Sequence, residues 1–215
     1  MTEPARLASA HLEDLAIVAI TTPPDAETIA LYPELGASER GKLRARLKQL
    51  LRYGLPATSK DDPGIRRGYT LRQCLVLSAT LCLIDTHLPL GLVVDLVKAN
   101  EREIVRCGLD AIKRGAVDKE QDDLAVIVTG ELWAILDANA YSSSEPMRLR
   151  WIKRNALTDA WAEACDLEAR GQRVIVDLGF AARTVWGWVA ERRLLPGDQV
   201  DLLYAALSAE KEGLR

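Results

Sequence analysis

Between Ser38 and Arg72 the sequence places Arg40, Lys42, Arg44, Arg46, Lys48, Arg52, Lys60, Arg66, Arg67 and Arg72 against Glu39, Asp61 and Asp62, a net charge of +7. The chemistry such a block can do is to bind phosphate, because every phosphate neutralised by Lys or Arg releases condensed counterions. Its residue types also suit base edges in a groove: a guanidinium can form a bidentate pair with guanine, and a glutamate can accept from cytosine. In that reading Ser38, Glu39, Arg40, Lys42 and Arg44 lie nearest the bases, while Arg46, Lys48 and Arg52 hold the flanking phosphates. Lys60, Arg66, Arg67 and Tyr69 reach phosphate from the adjoining loop. The competing reading is an ordinary solvated basic helix with Tyr69 packed in the core, and charge alone does not separate the two.

The block stands inside an acidic chain. Residues 1–37 carry Arg6 against Glu3, Glu13, Asp14, Asp25, Glu27 and Glu34, a net charge of −5, and the 215 residues together carry −3. Positioning the cations requires helices. Asp25 to Leu35 is helix-compatible, with Pro33 able to shorten it, and Gly36-Ala37-Ser38 is suited to a tight turn in which the serine caps the next helix. From Glu39 to Tyr53, Leu43, Leu47, Leu50 and Leu51 recur at i, i+4, i+7 and i+8, a stripe that must face a core and leaves the cations on the remaining surface. Gly54-Leu55-Pro56 ends that helix, and Asp62-Pro63-Gly64 marks a turn inside the polar stretch Ala57 to Arg67. Thr70 can cap a third helix running to about His87, apolar on nearly every side and therefore expected in the core. Pro89 opens a fourth, which Gly115 stops.

Helix, glycine turn, basic helix, turn-rich loop closing on arginines and then a buried helix: this order resembles a winged helix-turn-helix domain. Arg52-Tyr53-Gly54-Leu55-Pro56, Arg67-Gly68-Tyr69 and the helix pair whose second member opens at Pro89-Leu90 look like the MerR-type arrangement, over roughly residues 25–100. The resemblance implies double-stranded DNA as partner, a recognition helix in the major groove, a wing on the phosphates, and a helical dimer seam corresponding to Pro89–Ile112.

Composition changes after residue 116. Leu124 to Val128 is a β-branched run, and with Leu132 to Leu136 it reads as a hairpin around Thr129-Gly130-Glu131, a helical second arm being the alternative. Tyr141 to Pro146 is a loop, Arg148 to Lys153 and Arg173 to Leu178 read as strands, and Ala156 to Arg170, Phe180 to Leu195 and Gln199 to Glu212 as helices. Trp133, Trp151, Trp161, Trp186 and Trp188 all fall here; they can line a small-molecule effector pocket, but filling a core or subunit interface is the preferred reading.

Catalytic and cofactor chemistry find no motif. His11 and His87 suggest no triad, there is no G-x-x-x-x-G-K loop, and Gly179 stands alone after its strand instead of opening a dinucleotide fingerprint. Cys74, Cys82, Cys107 and Cys165 form no C-x-x-C pair and read as core thiols, so no metal site is expected. Asp122-Asp123 and Glu163-Asp166 have no catalytic spacing. No apolar run approaches the ~20 residues of a membrane span, and Leu15 to Ile20 follows Glu13-Asp14 rather than a basic leader, so neither a signal peptide nor an anchor is expected.

The expectation is an α+β protein: an N-terminal extension over 1–24, a mainly helical winged helix-turn-helix domain over 25–116, and a small α/β domain for dimerisation or effector binding over 117–215. Its function would be that of a cytoplasmic transcription regulator, homodimeric, without enzymatic activity or cofactor. The alternative is a protein-interaction adaptor whose basic helix docks on an acidic partner.

Overall fold

The computed structural model describes residues 5–20, 36–57, 68–115, 123–128, 149–158 and 173–212. Their elements are α1 (Leu12–Ile20), α2 (Ala37–Arg52), α3 (Leu71–Asp85), α4 (Leu90–Arg114), β1 (Asp123–Val128), β2 (Arg150–Lys153), β3 (Arg173–Val176), α5 (Leu178–Glu191) and α6 (Gln199–Glu212). The class is α+β, mostly helical with a small three-stranded antiparallel sheet. Several expected elements lie outside the described residues: the helix Asp25 to Leu35, the loop with Lys60, Arg66 and Arg67, the hairpin arm Leu132 to Leu136, the loop Tyr141 to Pro146, and most of the helix Ala156 to Arg170.

The cap expected at Thr70 forms a reciprocal box. Thr70 Oγ1 accepts from the Gln73 backbone N–H at 3.3 Å, and Gln73 Oε1 accepts from the Thr70 N–H at 2.9 Å. Such a cap contributes about 1 kcal/mol. Gln73 also donates through Nε2 to the Ala57 carbonyl at 3.2 Å, fixing the chain just after α2 to the start of α3. Leu71, Leu75, Val76, Leu77, Ala79, Leu81 and Leu83 are all buried, so α3 needs cover on every side. Its buried hydroxyls are returned to the preceding turn, Ser78 to the Leu75 carbonyl and Thr80 to that of Val76, which satisfies both donors.

Cover comes from α1, α4 and α5. A Cβ on Gly108 of α4 would lie 3.2 Å from the Ala182 Cβ of α5, so the absence of a side chain there lets the two helices approach closely. Leu92, Val93, Leu96, Val97, Ile104, Val105 and Leu109 of α4 are buried among the chain's own helices. This corrects the dimer seam implied by the MerR resemblance: the apolar face of Pro89–Ile112 is already covered within one chain. Within the expected N-terminal extension, the described residues 5–20 supply Leu7, Leu15, Ala16, Val18 and Ala19 to the core. The segments on either side of residue 116 share one buried apolar cluster, in which Leu178, Ala182, Val185 and Trp188 sit with residues of α1, α3 and α4.

In the sheet, β1 lies between β2 and β3, with Ala125 opposite Trp151 on one side and Val176 on the other. Buried Asn100 of α4 accepts the Leu149 N–H at 3.0 Å and so anchors the entry to β2. The strand expected to run to Leu178 stops at Val176 because Asp177 caps α5, its carboxylate accepting from the Phe180 N–H at 2.9 Å and pairing with Arg154. Trp188 is buried, with His11 edge-on at 6.3 Å and the Arg192 guanidinium over its ring at 5.5 Å. Trp151 and Trp186 pack on the same core, whereas Trp133 and Trp161 lie outside the described residues. The core-filling alternative accounts for the tryptophans that are described.

Gly68 precedes the pairing of Tyr69 with Leu7, whose N–H and C=O groups exchange two hydrogen bonds of 2.7 Å. Its φ is +100°, and a Cβ there would collide with the Leu7 carbonyl oxygen. Gly68→Ala is expected to lower stability by about 2 to 4 kcal/mol through backbone strain and the lost bridge, read from the urea midpoint.

Candidate nucleic-acid interface

Helix α2 begins where Gly36 accepts the Arg40 N–H at 3.0 Å. Its leucine stripe is seated as expected, with Leu47 and Leu50 buried and Leu43 and Leu51 partly so. It ends in a left-handed turn: Gly54 has φ +75°, and the Leu55 N–H reaches back to the Leu50 carbonyl at 3.0 Å. Glycine is favoured at such a C-terminal turn because a side chain there is strained, and buried Leu55 completes the motif.

Arg40, Arg44, Lys48 and Arg52 are four residues apart and form one row along the helix. The N-terminal half of that row meets acid. Arg44 Nε donates to Glu13 Oε1 at 2.5 Å, and Arg40 Nη1 stands 3.8 Å from Asp14 Oδ1. Glu13 and Asp14 occupy the first turn of α1, where carboxylates also complement the helix dipole. The hydrogen bond from Arg44 to Glu13, with the attraction between their charges, raises the guanidinium pKa further above its ordinary value. Both arginines remain open to solvent, 37% for Arg40 and 59% for Arg44, so these pairs orient the helix more than they stabilise it.

The other cations of the helix differ. Lys42, between the two paired arginines, and Arg46, Lys48 and Arg52 toward the C-terminal end are exposed, and none pairs with a carboxylate among the described residues. Arg46 donates to Gln49 Oε1 at 3.3 Å on the same helix. Ser38 is exposed in the first turn, which Glu39 also occupies. Lys60, Arg66 and Arg67 lie outside the described residues.

Tyr69 requires a correction. Instead of contacting phosphate, it is 1% exposed and its hydroxyl is buried without a hydrogen-bond partner among the described residues. The reason is local: Tyr69 stands immediately before the Thr70 cap and Cys74 at the fourth helical position, where apolar side chains pin the chain entering a helix. That spacing is visible in the sequence, but an aromatic residue directly after Arg67-Gly68 fits a wing equally well. Arg72, counted in the basic block, is also withdrawn from the surface charge by Glu101 at 2.9 Å and Glu210 at 3.0 Å. Sequence reasoning misses Glu13, Asp14, Glu101 and Glu210 as partners, since nothing in their spacing indicates which cations they face.

No protein-family model, curated protein or solved structure matches this chain.

Burial pushes the Tyr69 phenol up to about 12 and the Cys74 thiol, from 9.0, up to about 12. A raised folded-state pKa on a group that is neutral when protonated gives stability that is complete below the unfolded pKa and is lost as pH rises toward the folded one. Urea stability should therefore hold below about pH 9 and fall between about pH 9 and 12, first through the thiol and then, above about pH 10, through the phenol. Tyr69→Phe removes an unsatisfied buried hydroxyl, so its stability at neutral pH is expected to be unchanged or higher by about 1 kcal/mol, with the phenol's share of the alkaline loss abolished.

Proposed function

We propose that the protein is a transcription regulator that binds double-stranded DNA through α2 in a winged helix-turn-helix arrangement of MerR type. The observation carrying this reading is that Lys42, Arg46, Lys48 and Arg52 are exposed on one 16-residue helix and free of carboxylates among the described residues. A helix of that length extends about 24 Å and is narrow enough for the major groove. Arg40 and Arg44 enter DNA only by exchanging Asp14 and Glu13 for phosphate or base, so Lys42, Arg46, Lys48 and Arg52 carry the larger share of affinity. Lys60, Arg66 and Arg67 supply further phosphate contacts from the wing. A homodimer would place two such helices on half-sites ~34 Å apart, through a face other than the apolar side of α4.

A second reading has its own observation. The pairs Arg44–Glu13 and Arg40–Asp14 are carboxylates seated on α2, the chemistry an acidic protein partner would use, and they favour an adaptor that docks through this helix. Among the described residues no helix is long and apolar enough to cross a membrane.

Titrating the full chain with duplex DNA at increasing salt separates the two. Four phosphate contacts from α2 and three from the wing predict a log–log slope of about −6, and the double variant Lys48→Gln, Arg52→Gln should reduce its magnitude by about 2. A wild-type chain that binds no duplex at low salt rules out the DNA reading.

A further inference from the structure

The row Arg40, Arg44, Lys48, Arg52 is charged along its whole length but neutralised only at its start. Its other end does not stop with the helix. A Cβ built on Gly54 would lie 3.9 Å from Lys98 Nζ, so the ammonium of α4 stands over the turn that closes α2. Lys98 is exposed and makes no ion pair among the described residues; Asp95, one turn earlier and also exposed, does not pair with it. Gly54 leaves the ground between the two helices without a side chain, and Arg52 and Tyr53, the latter 44% exposed, immediately precede it.

We propose that Lys98 is a phosphate-contacting residue, and that the backbone of duplex DNA lies over the α2–α4 junction between Lys48, Arg52 and Lys98, with the Tyr53 hydroxyl available as a neutral donor. This rests on the DNA reading and moves the centre of the contact toward the C-terminal end of α2. Two features favour that end. Glu13 and Asp14 give the N-terminal end a local negative contribution that repels phosphate, whereas Lys48, Arg52 and Lys98 face no described carboxylate at salt-bridge distance. The contact also draws on two elements, and the Leu47 and Leu50 packing together with the Gly54 turn holds the α2 side of the junction in place before any ligand arrives. The competing role for Lys98 is to complement the carbonyl end of α2, which requires only its charge and no ligand.

Fluorescence anisotropy of a labelled random-sequence duplex, titrated with the full chain over a salt series, distinguishes these roles. Lys98→Gln should lower the magnitude of the log–log slope by about 1, and Lys98→Glu should lower affinity further. Lys98→Arg should restore the wild-type slope. Lys113→Gln, which removes a cation of α4 paired with Asp201 at 2.8 Å, should leave it unchanged. Circular dichroism melts of each variant verify folding. If the wild type binds duplex DNA and folded Lys98→Gln keeps both slope and affinity, Lys98 serves only the helix end and the inference fails while the DNA reading stands. If the wild type binds no duplex, both fall.

Discussion

An α-helix that is apolar on nearly every side must be covered from water along most of its length, and α3 imposes that constraint on the rest of the chain. Its cover is assembled from both ends of the sequence: α1 from the N-terminus, α4 next to it in the chain, and α5 from beyond the sheet. Burying a Leu or Val side chain contributes roughly 1.5 to 3 kcal/mol, so a fully enclosed helix outweighs any surface ion pair in deciding which elements touch. The close approach of Gly108 to Ala182 and the return of the Ser78 and Thr80 hydroxyls to their own helix are what this enclosure requires.

The electrostatics arise from that packing. Once Leu15 to Ala19 are committed to the core, the polar start of α1 must emerge beside α2, which brings Glu13 and Asp14 to Arg44 and Arg40. The result is a basic helix on which Arg40 and Arg44 are internally compensated while Lys42, Arg46, Lys48 and Arg52 stay open. Helix α6 is held by the same kind of compensation, through Arg72–Glu210, Lys113–Asp201 and a hydrogen bond from Arg102 to the Leu207 carbonyl. A charge count over residues 38–72 therefore overstates the field available to a ligand, because Arg40, Arg44 and Arg72 are already engaged.

The same enclosure bears on assembly and on ligand binding. With the apolar face of α4 covered within the chain, that helix has no long unpartnered seam to offer a second copy. With Trp188 buried and Trp151 and Trp186 packed on the core, the described tryptophans contribute to packing.

What could be read from the chain was local. The leucine stripe and glycine stop of α2, the Thr70 cap, Pro89 and Gly115 bounding α4, the strand at Leu124 to Val128 and the last helix from Gln199 to Glu212 all depend on residues within a turn or two of one another. Backbone sterics and hydrophobic periodicity act over that range, and they suffice to specify element types. The fate of the charges was not readable in this way. Arg44 finds Glu13 across 31 positions, Arg72 finds Glu101 across 29 and Glu210 across 138, and Tyr69 is buried against a strand-like pairing with Leu7. Ion pairing falls steeply with distance in space and is indifferent to distance along the chain, so only the packing around α3 could select which cations would be neutralised and which would remain open to a partner.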